Sequence, residues 1–196
     1  MKRTLALLLL TAVLLPSEVH SAPRTVPVQV DGQPLDTFLM TGTDGRRWLS
    51  PEWVRECHPG LMPGRDVQPA GRMSSSGGPA EPFLVVFRYT ELHCMTCTER
   101  QIELMKAVMQ QYPALPCVIF TSYSYEAYLW QFVRMNQIDI PVYQIPLDAL
   151  YGDAGVPFFF VLDASMRLHH LFVPDKSHED WTTEYLTALG RSAALR

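Results

Sequence analysis

Cys94 and Cys97 are separated by two residues, Met95 and Thr96. At that spacing a single bend of the chain brings two sulfurs within bonding distance, so the pair can pass between dithiol and disulfide. The apolar run Phe83–Phe87 precedes the pair, and a helical pattern follows it from Thr98. A thiol at such a strand-to-helix junction meets the unpaired N–H groups and partial positive charge of the first helical turn, and both favour its thiolate. Cys94 comes first and is the expected nucleophile. Cys97, partly covered by its own helix, is the expected resolving thiol. His93 adjoins Cys94 and, if protonated, would favour the thiolate further. The plainer expectation is a solvated loop histidine pointing elsewhere.

Other chemistry fits parts of this pattern. Zinc sites use paired cysteines, but they need two more ligands at sensible spacing. Cys57 and Cys117 are isolated, and no second C-x-x-C exists. His93, Cys94, Met95 and Cys97 are soft or borderline ligands suited to Cu(I), so a copper carrier is a rival reading. A fold that has lost turnover and only binds is another. Cys117, inside an apolar run, reads as a buried, inert thiol. Cys57 could be free, paired with Cys117 or paired between chains. His169 and His170 are adjacent in a strand and should face opposite sides, which argues against a shared metal site.

The pair needs elements to hold it. Phe83–Phe87 is β-branched and aromatic, the composition of a strand covered on both faces. Ile102, Met105, Met109 and Tyr112 recur at helical spacing, and Pro113 ends the helix. Cys117–Phe120 reads as a second buried strand and Ser124–Met135 as a second helix, with Tyr128, Phe132 and Met135 on one face. Val142–Ile145 is a short strand. Phe158–Leu162 and Leu168–Val173 form a hairpin around a turn at Asp163–Met166. The last helix starts at a capping box of Ser177 and Asp180 and carries Trp181, Tyr185 and Leu189 along one side. Strands alternating with helices imply a mixed sheet covered on both faces.

Upstream, Val26–Val30 alternates apolar and polar residues as a strand would. Phe38–Met40 and Arg47–Leu49 flank a Gly-containing turn and read as a hairpin. Trp53–Cys57 reads as one helical turn. Gly60–Pro82, rich in Gly, Pro and Ser, reads as a flexible linker. At the start, Lys2 and Arg3 precede an apolar run to Leu15, and Ser21 and Ala22 follow. This is the layout of a secretory signal peptide, too short for a confident membrane span. The expected division is therefore signal peptide 1–22, N-terminal extension 23–80 and main domain 81–196. The 196 residues carry a formal charge of −4, without the basic footprint that nucleic acid requires.

The segment Phe87–Cys97, together with Tyr151-Gly152-Asp153-Ala154-Gly155-Val156-Pro157 and Phe158–Asp163, resembles the thioredoxin superfamily. It is most similar to exported thiol-disulfide oxidoreductases of the TlpA and ResA type. The resemblance covers about residues 81–196. It implies that Pro157 is a cis proline beside the cysteines and that Val156 pairs its backbone with substrate. The sequence departs from the family at His93, where tryptophan is common, at the dipeptide Met95-Thr96, and in a turn after Asp163 without glycine. Peroxiredoxins share this fold, but Glu91 stands where their threonine would be, and their proline is missing at Phe87 and Arg88.

The expectation is an α/β thioredoxin fold: a mixed central sheet, helices on both faces and an N-terminal extension. Cys94 and Cys97 are the expected catalytic residues, and His93, Val156 and Pro157 are expected to contact substrate. No metal or other cofactor is called for. The expected partners are protein thiols or disulfides and an upstream redox partner, met in the periplasm after export, with no stable membrane insertion and no nucleic acid.

Overall fold

A computed structural model describes residues 31–61, 82–151 and 155–195. The expected signal peptide, the Val26–Val30 strand and most of the Gly60–Pro82 segment lie outside the described residues. The chain order is β1 (Gln33–Pro34), β2 (Leu39–Gly42), β3 (Arg47–Leu49), α1 (Ser50–Cys57), β4 (Phe83–Thr90), α2 (Met95–Gln111) and β5 (Cys117–Ser122). Then come α3 (Glu126–Met135), β6 (Val142–Gln144), β7 (Phe158–Asp163), β8 (Arg167–Phe172) and α4 (Glu179–Ala194).

The eight strands among the described residues join one sheet in the order β1-β8-β7-β4-β5-β6-β2-β3. β4, β5 and β6 are parallel neighbours, and β7 and β8 run antiparallel to their neighbours. Successive residues of β4 face opposite sides of the sheet. Leu84 and Val86 enter one core with Trp53, Val54, Phe120, Phe158 and Phe160. Val85, Phe87 and Tyr89 enter the other with Ile102, Met105, Leu129 and Leu186. Helices α2, α3 and α4 thus cover one face, and α1 covers the other. The Phe158-Phe159-Phe160 run supplies both cores, and burying each ring is worth about 2 kcal/mol.

The expected hairpin forms, with Met40 opposite Trp48. It also extends the sheet, because Thr41 pairs with Gln144 at the β6 edge. The short turn expected at Trp53–Cys57 is the end of a longer helix, α1. Its Trp53 is fully buried, with its ring 5.2 Å from Phe120 and 5.0 Å from Tyr143. Residues 39–61 therefore share a core with β4, β5 and β7.

Some local expectations change. The α2 stripe is Thr98, Gln101, Ile102, Met105 and Val108. On α3, Leu129 is buried and Phe132 is half-buried, whereas Tyr128 and Met135 face solvent. The Ser177–Asp180 capping box does not form. Instead, Asp175 accepts a hydrogen bond from Ser177 N at 2.8 Å, and α4 begins at Glu179. The buried face of α4 is Thr182, Leu186, Gly190 and Ala193, leaving Trp181 half exposed. The β7–β8 turn does without glycine because Met166 adopts φ 60° while Asp163 Oδ1 accepts from Ser165 N and Arg167 N. Where β7 pairs with β8 the register shifts between Phe159 and Val161, and in β8 His170 takes φ 53°. This bulge breaks the strict alternation expected of His169 and His170, whose rings end 6.2 Å apart.

Helices α2 and α4 meet at a glycine. A Cβ on Gly190 would lie 2.6 Å from the Tyr112 ring. Gly190→Ala should therefore destabilise the protein by about 2 kcal/mol through overpacking, despite alanine's better helix propensity. Urea unfolding checks this, and a neutral or stabilising result would mean that Tyr112 swings aside freely.

Candidate active site

The site is built where β4 ends and α2 begins. Cys94 is the N-cap of α2 and is exposed, whereas Cys97, one turn in, is half-buried. The backbone N–H of Cys97 donates to Cys94 Sγ at 3.3 Å. The two sulfurs lie 2.6 Å apart, with the Cys97 thiol donating to Cys94.

That arrangement splits the two thiols. Cys94 is pulled below the usual thiol range, first by the Cys97 thiol, then by the backbone N–H of Cys97 and of Thr96 and by the charge of Lys176. Cys97 is pushed up, first by the hydrogen bond that it donates and then by burial. The helix N-terminus thus presents one exposed sulfur with a lowered pKa and, behind it, a half-buried one with a raised pKa.

His93 is placed differently from either expectation. It is only 8% exposed, and its Nδ1 accepts from Thr90 N at 3.2 Å. Burial, aided by the nearby Arg88 charge, drops its pKa to about 4. It is neutral at ordinary pH, so it is neither a solvated loop residue nor the cation that favours the Cys94 thiolate.

Val156 and Pro157 line the same groove as Cys94 and Cys97. The expected cis bond is not found. No peptide bond among the described residues is cis, so Val156–Pro157 is trans, the lower-energy form, and Gly155 makes the turn with φ 72°. The groove holds about 770 Å³ and is completed by residues that spacing did not single out as site residues, among them Arg100, Val173, Pro174, Lys176 and Trp181. Arg100 on α2 and Glu179 on α4 form an ion pair of 2.7 Å across it. The His178 ring stacks on Trp181 with centroids 4.1 Å apart.

Beneath the loop lies a buried arginine. Arg88 donates to Tyr89 O at 2.6 Å, Ser122 Oγ at 2.8 Å and Ala149 O at 3.2 Å. Burial lowers its pKa to about 10, still charged at neutral pH. It ties the segment after β6 to the ends of β4 and β5. Glu91 joins the neighbouring loops by accepting from Ser124 N at 2.8 Å and from the Ser124 hydroxyl.

The other cysteines stand apart. Cys117 is buried in the core beneath α2 and α4, and burial pushes its thiol up to about 12. Cys57 is exposed at the end of α1, on the opposite face of the sheet, so the two cannot pair within one chain. Among the described residues, no group of three His, Cys, Asp or Glu side chains is placed to hold a metal ion. No helix among them is long and apolar enough to cross a membrane.

No family model matches the chain, and no curated protein matches it. Solved structures do. A protein from Chlorobium tepidum that carries the name thiol:disulfide interchange protein DsbE aligns with TM-score 0.53 at 12% identity, over 82% of this chain and 97% of its own. The thioredoxin domain of a thiol-disulfide oxidoreductase from Bacteroides vulgatus aligns with TM-score 0.50 at 6% identity, over 80% and 97%.

The chain has the thioredoxin fold.

A protein from Bacteroides thetaiotaomicron that carries the name protein disulfide isomerase aligns as well, with TM-score 0.51 at 13% identity, over 85% of this chain and 95% of its own. Within the thioredoxin fold, Cys94 and Cys97 sit at the N-terminus of the first helix after a central strand.

Proposed function

We propose that this chain is an exported thiol-disulfide oxidoreductase that exchanges dithiol for disulfide with protein cysteines. One observation carries the reading: an exposed sulfur at a helix N-terminus, with a second, half-buried sulfur 2.6 Å away whose thiol pulls its pKa down. The names carried by its structural neighbours agree with it.

Cys94 thiolate attacks one sulfur of a partner disulfide. A new S–S bond forms, and the partner's other sulfur leaves as a thiolate that takes up a proton. Cys97 then loses its proton, and its thiolate attacks Cys94 Sγ. The partner's remaining sulfur leaves and is protonated in turn. Two electrons have passed to the partner, and the protein holds a Cys94–Cys97 disulfide. An upstream dithiol returns it to the reduced form, and every step can run in reverse. Val156 and Pro157 wall the groove in which the partner segment would lie. Residues 1–22 act in this reading as the export signal, residues 81–196 as the catalytic domain, and the periplasm as the compartment. A copper carrier is the weaker alternative, because His93 is turned inward and its Nδ1 is already used.

Equilibration of the purified protein in defined thiol–disulfide buffers tests the proposal. The expected result is a two-electron transition of Cys94 and Cys97 together, with Cys117 unchanged, and catalysis of insulin disulfide reduction. A pair that shows no such transition, or a protein that leaves insulin untouched, would sink it. The alkylation rate of Cys94 should also level off below the usual thiol range as pH rises.

A further inference from the structure

The groove beside Cys94 contains four charged side chains: Arg100, Asp175, Lys176 and Glu179. Three are engaged. Arg100 donates from Nε and Nη2 to Glu179 Oε2 at 3.0 and 2.7 Å. Asp175 accepts from Ser177 N at 2.8 Å and lies 3.2 Å from His178 Nδ1. Lys176 has no carboxylate partner among the described residues. It lines the same groove as Cys94, and its charge is the smallest of the influences that favour the Cys94 thiolate.

That anion does not last through the reaction. When the Cys94 thiolate bonds to a partner sulfur, its negative charge leaves with the departing thiolate. The ammonium of Lys176 then shares the groove with a neutral disulfide. The wall around it is largely apolar, formed by Val156, Pro157, Val173, Pro174 and Trp181. Beside such a wall a charge–charge contact is stronger than in open water. A carboxylate next to the partner's cysteine would pair with Lys176 when the thiolate charge disappears.

We propose that Lys176 is a specificity-determining residue that selects protein disulfides flanked by aspartate or glutamate. This rests on the exchange reading above and names its substrate class. The favoured occupant of the groove is an extended polypeptide segment carrying an acidic side chain beside its disulfide. Segments with lysine or arginine there are disfavoured by repulsion.

The test uses the reduced full chain and three peptide disulfides that differ only in the residue beside the cysteine: Asp, Asn or Lys. The second-order rate of each is measured for the wild-type protein, Lys176→Gln and Lys176→Glu. Changing Lys176 also alters Cys94 reactivity, but that change cancels in the ratio of Asp to Lys peptide rates. The wild-type ratio should be about fivefold at low ionic strength, the size expected of an exposed ion pair. It should fall towards one in about 1 M salt. It should approach one in Lys176→Gln and invert in Lys176→Glu. A wild-type ratio near one, or the same ratio in all three proteins, overturns the proposal while leaving thiol-disulfide exchange standing. Failure of the wild type to react with any peptide disulfide overturns both.

Discussion

The Cys97→Ser variant should retain partner proteins as mixed disulfides, and Cys94→Ser should retain almost none. Cys94 is the exposed sulfur, and although Cys97→Ser loses the thiol that lowers its pKa most, the backbone N–H groups of Cys97 and Thr96 and the Lys176 charge still favour its thiolate, so it can still attack. Without Cys97 the mixed disulfide has no internal thiol to release it, and higher bands should accumulate on a non-reducing gel. In Cys94→Ser the remaining thiol is half-buried, with a helical turn between it and the partner. Removing either member of a unit that acts together should reduce insulin turnover by at least about a hundredfold. A copper carrier would lose metal affinity in both variants and trap nothing. A binding module without turnover would show no change in either assay. Equal trapping by both variants would place Cys97 at the surface, against its observed burial.

The second large effect concerns His93 and acid. Its folded-state pKa is held near 4 by burial and by the Arg88 charge, against about 6.5 in an unfolded chain. Below pH 6.5 the unfolded chain takes up a proton that the folded protein refuses. The stability owed to His93 is therefore complete above pH 6.5, declines as pH falls and is gone near pH 4. The difference amounts to about 3 kcal/mol. Urea unfolding of the wild type and His93→Gln at several pH values isolates it, since all other groups cancel in the comparison. The variant should be less stable at pH 7 and lose less on acidification. Parallel curves would show that His93 takes up its proton over the same pH range folded and unfolded. Insulin reduction at pH 7 should change little in this variant if His93 does not tune the thiolate.

Much of the scaffold was legible because single positions recorded their surroundings. An unbroken apolar run such as Phe83–Phe87 has no polar side to show solvent, so it marks a strand covered on both faces. Cysteines at a strand-to-helix junction declare their electrostatic setting through backbone geometry alone. Other features depend on distant contacts. Nothing in Phe38–Met40 announces that its strand will pair with Gln144 and Tyr143. Arg88 interrupts an apolar run and looks like a solvent-facing residue until the carbonyls of Tyr89 and Ala149 are seen to receive it. Lys176, from the loop before α4, and Trp181, from the first turn of α4, line the groove beside the start of α2, a neighbourhood set by tertiary packing. The trans bond at Val156–Pro157 and the inward turn of His93 are outcomes of packing, which neither spacing nor resemblance encodes.

The place of the β2–β3 hairpin has a consequence for how the chain matures. A ribosome delivers residues 39–61 long before β6 exists, yet β6 is the strand against which β2 pairs. Until residues 142–144 emerge, Met40, Trp53 and Val54 lack the neighbours that enclose them. While residues 50–144 are being made, the emerging chain carries an unsatisfied apolar hairpin, the kind of exposed surface that makes folding chains prone to aggregate. Once closed, the hairpin covers what would otherwise be a bare strand edge open to pairing with other chains. The pairing of residues 41 and 42 thus depends on residues 143 and 144, and closing so long a stretch of chain is slow.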